Sequence, residues 1–342
     1  MSKKEKYNVA VVGATGAVGE ALLSMLKERK FPIADLVPLA SARSAGEVIE
    51  FGAKRASVRD VAEFDFAGID IAFFSAGASV SKVHAPRAAA AGAVVIDNTS
   101  EFRYVDDIPL VVSEVNPDAI AQYTTRGIIA NPNCSTMQML VALAPIHRAV
   151  GITRINVATY QSVSGAGRSG MEELAKQTAA LLNFQESKPS KFSKQIAFNV
   201  IPHIDNFQEN GYTKEEMKMV WETRKILGDE SIEVNPTCVR VPVFFGHAEA
   251  VHIETKTKIT ADAARELIES AAGVEVIDRR EAGGYPTPVS DAAGKDPVFV
   301  GRIREDISHP RGLDLWIVAD NIRKGAALNA VQIAEVLVKS YL

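Results

Sequence analysis

The first third of the chain alternates short apolar runs with segments of helical spacing. Residues 8–12 form a β-branched apolar run, 13–19 are rich in glycine, and 20–29 carry leucines three and four positions apart. This pattern predicts a strand, a glycine turn and a helix. Further strands are predicted at 36–40, 69–75 and 94–97, with an alanine-rich helix at 80–91. Alternating strands and helices are typical of a parallel, doubly wound sheet.

The pattern changes in the middle of the chain. Residues 127–132 are predicted to form a strand that ends in a tight Asn131-Pro132-Asn133 turn, and 135–150 form a strongly apolar helix. Cys134 therefore lies where a strand gives way to a helix. Later runs alternate side chains with period two, at 152–163, 232–245 and 248–259. They predict a second domain with a larger, mainly antiparallel or mixed sheet.

Two helices of this second domain carry sequence signals for their N-termini. Ser169 with Glu172, and Thr213 with Glu216, have the spacing of capping boxes. A final helix is predicted over 326–341, and it is apolar enough to pack on a neighbouring element.

Composition agrees with a globular protein of two domains. The chain has 342 residues, of which 47% are apolar and 23% are charged, so it is long enough for a large core. Its formal charge is -4, and the short basic start at Lys3, Lys4 and Lys6 is not extended into a polybasic run. This charge distribution argues against nucleic acid or a membrane surface as the partner. We therefore expect small-molecule ligands.

Cysteine content and the start of the chain bear on location. The sequence has two cysteines, Cys134 and Cys238, which is too few for a disulfide-stabilised secreted scaffold and suits a reducing compartment. Residues 1–7 are polar and lead into a strand without a hydrophobic signal segment. No run approaches the roughly 20 apolar residues of a membrane-spanning helix. We expect a cytoplasmic location.

The glycine turn is a candidate nucleotide site. Gly13, Gly16 and Gly19 let the backbone approach a pyrophosphate, whose charge is met by the amides and the dipole of the following helix. Their spacing departs by one position from the common dinucleotide fingerprint, so a purely structural turn is the alternative. After the second strand, Arg43 and Ser44 stand where an NAD enzyme has an acidic residue, which favours NADP. The sequence thus predicts an α/β fold: a Rossmann-type doubly wound nucleotide domain plus an α+β domain.

The two cysteines have different sequence contexts. Cys238 lies within an alternating strand, where free cysteines are usually buried. Cys134 follows a turn at the predicted N-terminus of a helix, whose dipole favours a thiolate nucleophile. His247, after a strand ending in Phe-Phe-Gly, is the best-placed histidine for proton transfer, with a packed or surface imidazole as the alternative. Arg240, in an alternating strand, is a candidate carboxylate clamp.

An ordered series of motifs covers essentially the whole chain. The motifs are Gly13-Ala-Thr-Gly-Ala-Val-Gly19, Asn131-Pro-Asn-Cys-Ser-Thr136, Gln161-Ser-Val-Ser-Gly165, Arg240-Val-Pro-Val followed by Gly246-His247, and Asn321-Ile-Arg-Lys-Gly-Ala326. With them the sequence resembles the aspartate-semialdehyde dehydrogenase family. The resemblance implies NADPH-dependent, reversible reduction of 4-phospho-L-aspartate to L-aspartate 4-semialdehyde and phosphate through a cysteine thioester. It also implies a place in the biosynthesis of lysine, threonine and methionine.

The resemblance assigns expected roles to individual residues. Cys134 would be the acyl-forming nucleophile and His247 the acid/base, with Gln161 orienting the acyl intermediate and Asn133 beside the thiol. Phosphate would bind at Arg103 and Lys218, the substrate carboxylate at Arg240, and its ammonium at Glu215. The expected cofactor contacts are Gly13, Thr15, Gly16, Ala17, Val18, Arg43, Ser44, Ser164, Gly165 and Asn321, and no metal is expected. Sequence spacing alone makes Glu215 and Lys218 a solvated helix pair and Arg103 an exposed loop residue.

The family also implies a domain plan. Residues 1–132, completed by the C-terminal helix 323–342, would form the NADP-binding domain, and 133–322 would form the catalytic and dimerisation domain of a homodimer.

Three other functions compete with this interpretation. N-acetyl-glutamyl-phosphate reductases share the acyl phosphate, the cysteine and NADPH, but an acetylated nitrogen has no need of an anionic partner such as Glu215. A non-catalytic NADP-sensing regulator is the second alternative, because a fold does not fix a function; it would not need Cys134. A cysteine hydrolase, the third, would have no use for the 13–19 glycine turn.

Overall fold

The computed structural model describes residues 4–52 and 54–342. Residues 1–3, which include Lys3 and belong to the polar start of the sequence, lie outside the described residues. The strands are β1 (Tyr7–Val12), β2 (Ile33–Ala40), β3 (Val48–Phe51), β4 (Lys54–Ser57), β5 (Arg59–Asp60), β6 (Ile71–Phe74), β7 (Val94–Asp97), β8 (Ile128–Ala130), β9 (Ile152–Gln161), β10 (Glu233–Arg240), β11 (His247–Thr255), β12 (Val274–Val276), β13 (Val298–Glu305) and β14 (Gly312–Ala319). The α-helices are α1 (Ala17–Glu28), α2 (Ala78–Ala90), α3 (Cys134–Val150), α4 (Arg168–Leu182), α5 (Lys214–Leu227), α6 (Ala261–Glu269) and α7 (Asn329–Ser340).

The chain divides into two compact units. The first contains the residues up to Pro132 together with Ala326–Leu342, and the second is Asn133–Gly325. The second boundary expected from the sequence falls after residue 322. Within the part of the chain that the structure describes, we find no helix with the length and apolar character needed to cross a lipid bilayer.

The first unit is built on a parallel sheet with the strand order β5-β2-β1-β6-β7-β8. The chain proceeds from β1 to β2 on one side and returns to β6 on the other, so the strand order reverses beside β1. Ligands of doubly wound sheets bind at the carboxyl ends of the strands at such a reversal. The glycine turn after β1 lies there. The predicted parallel, doubly wound sheet is confirmed.

Helices α1 and α7 share the core of the first unit. Leu22 and Leu26 of α1 pack in one apolar cluster with Val331 and Leu337 of α7 and with side chains of β1 and β6. On the surface, the guanidinium of Arg29 donates two hydrogen bonds of 2.7 Å to the carboxylate of Glu335. The last helix is therefore an integral part of the first unit.

The second unit is built on a mixed sheet with the strand order β10-β9-β11-β14-β13-β12. β9 and β10 are parallel, as are β12 and β13, while the pairs that involve β11 and β14 are antiparallel. Helix α3 packs on β9, β11, β13 and β14. The period-two pattern of β11 buries His247, Glu249, Val251 and Ile253 on one face. A polar group on this face is thereby removed from water.

One of the two predicted capping boxes is confirmed and the other is wrong. Thr213 Oγ1 accepts from the backbone N–H of Glu216, whose carboxylate accepts from the Thr213 N–H at 2.7 Å. Ser169, in contrast, lies inside the first turn of α4, whose N-cap is Gly167 with φ of 81°. Glycine adopts positive φ without steric cost, so the chain enters the helix there and the Ser169 hydroxyl has no capping role.

Candidate active site

Helix α3 begins at Cys134 and is capped by Asn133. Asn133 has φ of -64° and ψ of 144°, and its Oδ1 accepts from the backbone N–H groups of Ser135 at 3.0 Å and Thr136 at 3.3 Å. Asparagine is among the preferred N-cap residues for this reason. The partly exposed thiol of Cys134 is thus carried on the first residue of a capped helix.

The other cysteine is buried, as the sequence predicts. Cys238 is on β10, and burial raises the pKa of its thiol well above the ordinary value, so the group stays protonated.

Two carboxylates of α5 hold the capping residue. The backbone N–H of Asn133 donates to Oε2 of Glu222 at 2.6 Å, and Nδ2 of Asn133 donates to Oε1 of Glu215 at 2.9 Å. Glu215 and Glu222 are seven residues apart, so they lie on the same face of the helix. The turn that carries Cys134 is therefore tied to α5 through both the backbone and the side chain of Asn133.

Gln161, at the end of β9, lies beside the same turn. Its Nε2 donates to Oγ of Ser135 at 2.8 Å and to Oε1 of Glu215 at 3.3 Å. Gln161 is buried, and so is Ser135. Cys134 is therefore flanked by a connected set of polar side chains, although most of these side chains are withdrawn from water.

Glu215 and Lys218 form an ion pair that is largely withdrawn from water, with Glu215 buried and the Lys218 side chain 12% exposed, so the solvated pair indicated by their spacing is wrong. Nζ of Lys218 lies 2.9 Å from Oε2 of Glu215 and 2.9 Å from Oδ2 of Asp205. Burial opposes both charges, but the pairing outweighs it. The Lys218 ammonium lowers the pKa of Glu215 to about 2, and the two carboxylates raise the pKa of Lys218. Packing of α5 against β10 and α3 is what removes this helix face from solvent.

His247, the first residue of β11, is fully buried and neutral. Burial, and then the nearby guanidinium of Arg240, lower its pKa to about 3. The backbone N–H of Ser162 donates to Nδ1 of His247 at 3.1 Å. A backbone N–H can only donate, so Nδ1 carries the lone pair and the proton sits on Nε2. Among the described residues, Nε2 has no hydrogen-bond partner, so its N–H can donate to a bound ligand.

The segment after β9 joins His247 to Arg240 and Asn321. Nη1 of Arg240 donates to the carbonyl of Ser162 at 2.7 Å. A Cβ on Gly165 would lie 2.8 Å from that Nη1 and 3.3 Å from Nε2 of His247, so the position has no room for a side chain. Oδ1 of Asn321 accepts from Ser162, Ser164 and Gly246. Asn321 thereby orders this backbone.

The expected nucleotide residues Gly13 to Val18, Arg43 and Ser44 lie in the first unit. Gly13 has φ of 87°, and a Cβ there would lie 2.9 Å from the backbone of Ser75 and of Ala76; a Cβ on Gly19 would lie 2.1 Å from the Gly13 carbonyl oxygen. Gly16 is the N-cap of α1 and offers no side chain to its first amides. These features fit a pyrophosphate at the helix start. Arg43 is exposed in a short 3-10 turn directly after β2.

Arg103, expected to bind phosphate, also lies in the first unit. It is 7% exposed, and its Nη2 donates to the carbonyl of Asn98 at 2.9 Å, so the exposed loop residue indicated by its local sequence is wrong. In the residues that the structure describes, no group of His, Cys, Asp and Glu side chains is arranged to hold a metal ion.

Three residues that lie beside the expected site were not predicted from the sequence. Ser162 fixes the tautomer of His247, Glu222 holds the backbone of Asn133, and Glu249 is buried two residues beyond His247. The seven-residue spacing from Glu215 is a signal that could have singled out Glu222. The other two were recognisable only by the contacts that folding creates.

Comparison with known proteins identifies the class of protein to which the chain belongs. The family model "Semialdehyde dehydrogenase, NAD binding domain" matches residues 8–123, and "Semialdehyde dehydrogenase, dimerisation domain" matches 143–324. With the doubly wound sheet and the mixed sheet, these matches define an oxidoreductase that uses a nicotinamide cofactor.

Relatives that match over nearly the full length narrow this class. The chain is 62% identical over 335 residues to an aspartate-semialdehyde dehydrogenase of Legionella pneumophila, covering 98% of this chain and 96% of that protein. A crystal structure of aspartate-semialdehyde dehydrogenase II from Vibrio cholerae, complexed with ASA, has a TM-score of 0.97 and 61% identity, covering 99% and 100% of the two chains. The enzyme of Candida albicans with NADP has a TM-score of 0.75 and 25% identity, covering 97% and 98%. The chain belongs to the aspartate-semialdehyde dehydrogenase family.

Proposed function

We propose that the chain reduces 4-phospho-L-aspartate to L-aspartate 4-semialdehyde and phosphate with NADPH, reversibly and through a thioester on Cys134. It would serve the biosynthesis of lysine, threonine and methionine. The observation that carries this proposal is the set of contacts at the start of α3. There the helix-borne thiol adjoins Asn133, and Asn133 and Gln161 both bond to Glu215.

The first step is acyl transfer to sulfur. The Cys134 thiolate attacks the carbonyl carbon of the acyl phosphate, a C–S bond forms, and the C–O bond to phosphate breaks. The N-terminal position of Cys134 on α3 favours the thiolate, because the helix dipole stabilises negative charge there. Asn133 and Gln161 keep this turn in place for the reaction.

The second step reduces the thioester. When bound, NADPH supplies the hydride that brings the thioester carbonyl to the aldehyde level. His247 is neutral and carries its proton on Nε2, so it donates a hydrogen bond to the carbonyl oxygen as negative charge develops on it. Breaking the C–S bond then releases the aldehyde and restores the Cys134 thiolate. The reverse direction uses the same groups, with phosphate as the acyl acceptor.

Substrate selection is proposed to rest on fixed charges. The planar guanidinium of Arg240 suits the α-carboxylate, and the ionised Glu215 suits the α-ammonium. Lys218 and Arg103 would bind the phosphate. A buried, ionised Glu215 favours a free amine over an acetylated one, which argues against the N-acetyl-glutamyl-phosphate alternative.

Cofactor choice and domain roles complete the proposal. The first unit would bind the dinucleotide at the glycine turn, with Thr15, Ala17 and Val18 at the start of α1 and with Arg43 and Ser44 on the 2′-phosphate of NADP. Ser164, Gly165 and Asn321 also remain proposed cofactor contacts, as the resemblance implies. We also propose a homodimer, which the match to a dimerisation domain supports. The cytoplasmic location stays a prediction from cysteine content.

The test uses the purified protein with L-aspartate 4-semialdehyde, NADP and phosphate, following nicotinamide reduction. We expect a phosphate-dependent signal that Cys134→Ala abolishes. The matched control is Cys238→Ala, which removes the buried thiol and should keep the activity. Activity in Cys134→Ala, or preference for the N-acetyl-glutamyl substrate, would contradict the proposal. If the unaltered chain binds NADP but does not reduce it, the result would favour the non-catalytic NADP-sensing regulator.

A further inference from the structure

Glu249 is a buried carboxyl that the proposed mechanism does not use. It lies on β11 two residues after His247, on the same face of the strand, and is 0% exposed. Within the described residues, neither of its carboxyl oxygens has a partner at normal hydrogen-bond geometry, although the side chains of Gln138 and Ser135 lie beside the carboxyl group. An ionised carboxylate in that condition would be strongly unfavourable, because burial removes the water that solvates its charge.

The groups that face Glu249 are uncharged. They are the amide of Gln138 and the hydroxyl of Ser135, both on the first turns of α3, and burial raises the pKa of Glu249 well above its ordinary value. Thr159 lies directly opposite Glu249 in the register of β9 and β11. Oε1 of Gln138, which can only accept, has no partner among the described residues, and neither has the hydroxyl of Thr159, which can donate as well as accept. An ionised Glu249 would present a second acceptor to Oε1 of Gln138, whereas a protonated carboxyl supplies the donor that this oxygen lacks.

We propose that Glu249 is a neutral carboxylic acid that donates to Oε1 of Gln138, accepts from the hydroxyl of Ser135, and so positions the turn that carries Cys134. The inference rests on the proposed function, since it assigns Glu249 to the support of that site. Glu249 is a positioning residue and has no contact with substrate in this scheme.

The hydrogen-bond directions around Ser135 are consistent. Nε2 of Gln161 donates to Oγ of Ser135 at 2.8 Å, which leaves the Ser135 proton to point toward Glu249. At the other end, Nε2 of Gln138 points to the carbonyl of His247 at 3.5 Å, which is longer than a normal N–H···O hydrogen bond and therefore a weak contact. A protonated Glu249 thus closes a directed chain from Gln161 to the backbone of His247.

The experiment compares Glu249→Gln with Glu249→Leu in the full-length protein. Glutamine keeps one donor and one acceptor, so we expect kcat within about threefold of the unaltered chain and an unchanged pH profile. Leucine fills the space without either group, so kcat should fall about tenfold or more, while KM for the semialdehyde stays the same. Urea unfolding should show that both variants fold, because an apolar side chain is tolerated at a buried carboxyl site.

Ile253→Val is the matched control, since Ile253 is buried on the same face of β11 but lies further along the strand. It should leave kcat unchanged. A spectroscopic readout comes from the infrared C=O band of a protonated carboxyl, which should be present at neutral pH and lost in Glu249→Gln. If Glu249→Gln loses as much activity as Glu249→Leu, the group acts as an ionised or proton-donating residue and the proposal is overturned. Absence of the infrared band, or full activity in both variants, would also overturn it.

Failure of the proposed function looks different. If Cys134→Ala keeps its activity, the thioester mechanism fails whatever the Glu249 variants do. The infrared band should also persist in Cys134→Ala, because the hydrogen bonds of Glu249 do not include the thiol.

Discussion

Gly325 lies directly against Cys134. A Cβ built on Gly325 would be 2.7 Å from Cβ of Cys134 and 3.3 Å from its Cα. The backbone of Gly325 is outside the positive-φ region, so close approach is the reason for glycine there. The position of the thiol therefore depends on the absence of a side chain at residue 325.

Gly325→Ala should displace Cys134. We expect kcat to fall at least about tenfold, because overpacking of this kind costs about 1–3 kcal/mol and here the strain falls on the nucleophile. Alkylation of Cys134 by iodoacetamide should slow with it. Gly312→Ala is the control, since its Cβ would lie 2.7 Å from Cβ of Asp306, a clash of equal severity elsewhere in the unit. Gly312→Ala should lower the stability of the protein without changing the rate at which Cys134 is alkylated. If both variants slow alkylation equally, the prediction is refuted.

His247 should make stability depend on pH. Its pKa is about 3 in the folded chain against an ordinary value of 6.5, so between these values the unfolded chain binds a proton that the folded chain excludes. Stability is therefore lost as the pH falls below 6.5. Between pH 7 and 5 the loss from this group is about 2 kcal/mol. Urea unfolding of His247→Asn should show a correspondingly smaller pH dependence, and a pH dependence equal to that of the unaltered chain would contradict this prediction.

Arg43→Glu should change cofactor preference. The substitution replaces an exposed cation after β2 with an acid that can accept from ribose hydroxyls and repel a 2′-phosphate. We expect the ratio of kcat/KM for NADP to that for NAD to fall by about tenfold or more. Arg55→Glu is the charge-matched control in the same unit, at a side chain that is 75% exposed and paired with Glu50. If the ratio of kcat/KM for NADP to that for NAD is unchanged in Arg43→Glu, Arg43 does not bind the 2′-phosphate.

Asp205→Asn should strengthen phosphate binding. Lys218 is shared between Glu215 and Asp205, and removing one carboxylate leaves more of its charge for an incoming anion. We expect the KM for phosphate to fall by about two- to fivefold, in the range of a partly exposed ion pair. Asparagine tolerates the backbone of residue 205, which has φ of 67°. Asp229→Asn, at a carboxylate paired with Lys256, is the control, and a rise in the phosphate KM of Asp205→Asn would contradict this account.

Local pattern was sufficient where a structural feature depends on neighbours in sequence. The strand, glycine turn and helix at the start of the chain follow from composition and spacing within some twenty residues, as does the start of α3 after Asn133. Thr213 and Glu216 satisfy each other across one helical turn. At Ser169 the local pattern was misleading, because α4 already begins after Gly167 and Ser169 lies inside its first turn.

Charge states and contacts between distant segments were decided by the tertiary structure. By spacing alone, Glu215 and Lys218 belong to a solvated helix face. Only packing of α5 buries Glu215, covers most of Lys218 and brings their charges together. The proton on Nε2 of His247 depends on the backbone of Ser162, which is 85 residues away in the chain. The sequence by itself determined the α/β fold, the position of the cysteine and the family. Folding determined which groups lose their water and which find partners, because desolvation and hydrogen bonding depend on surroundings that no local pattern contains.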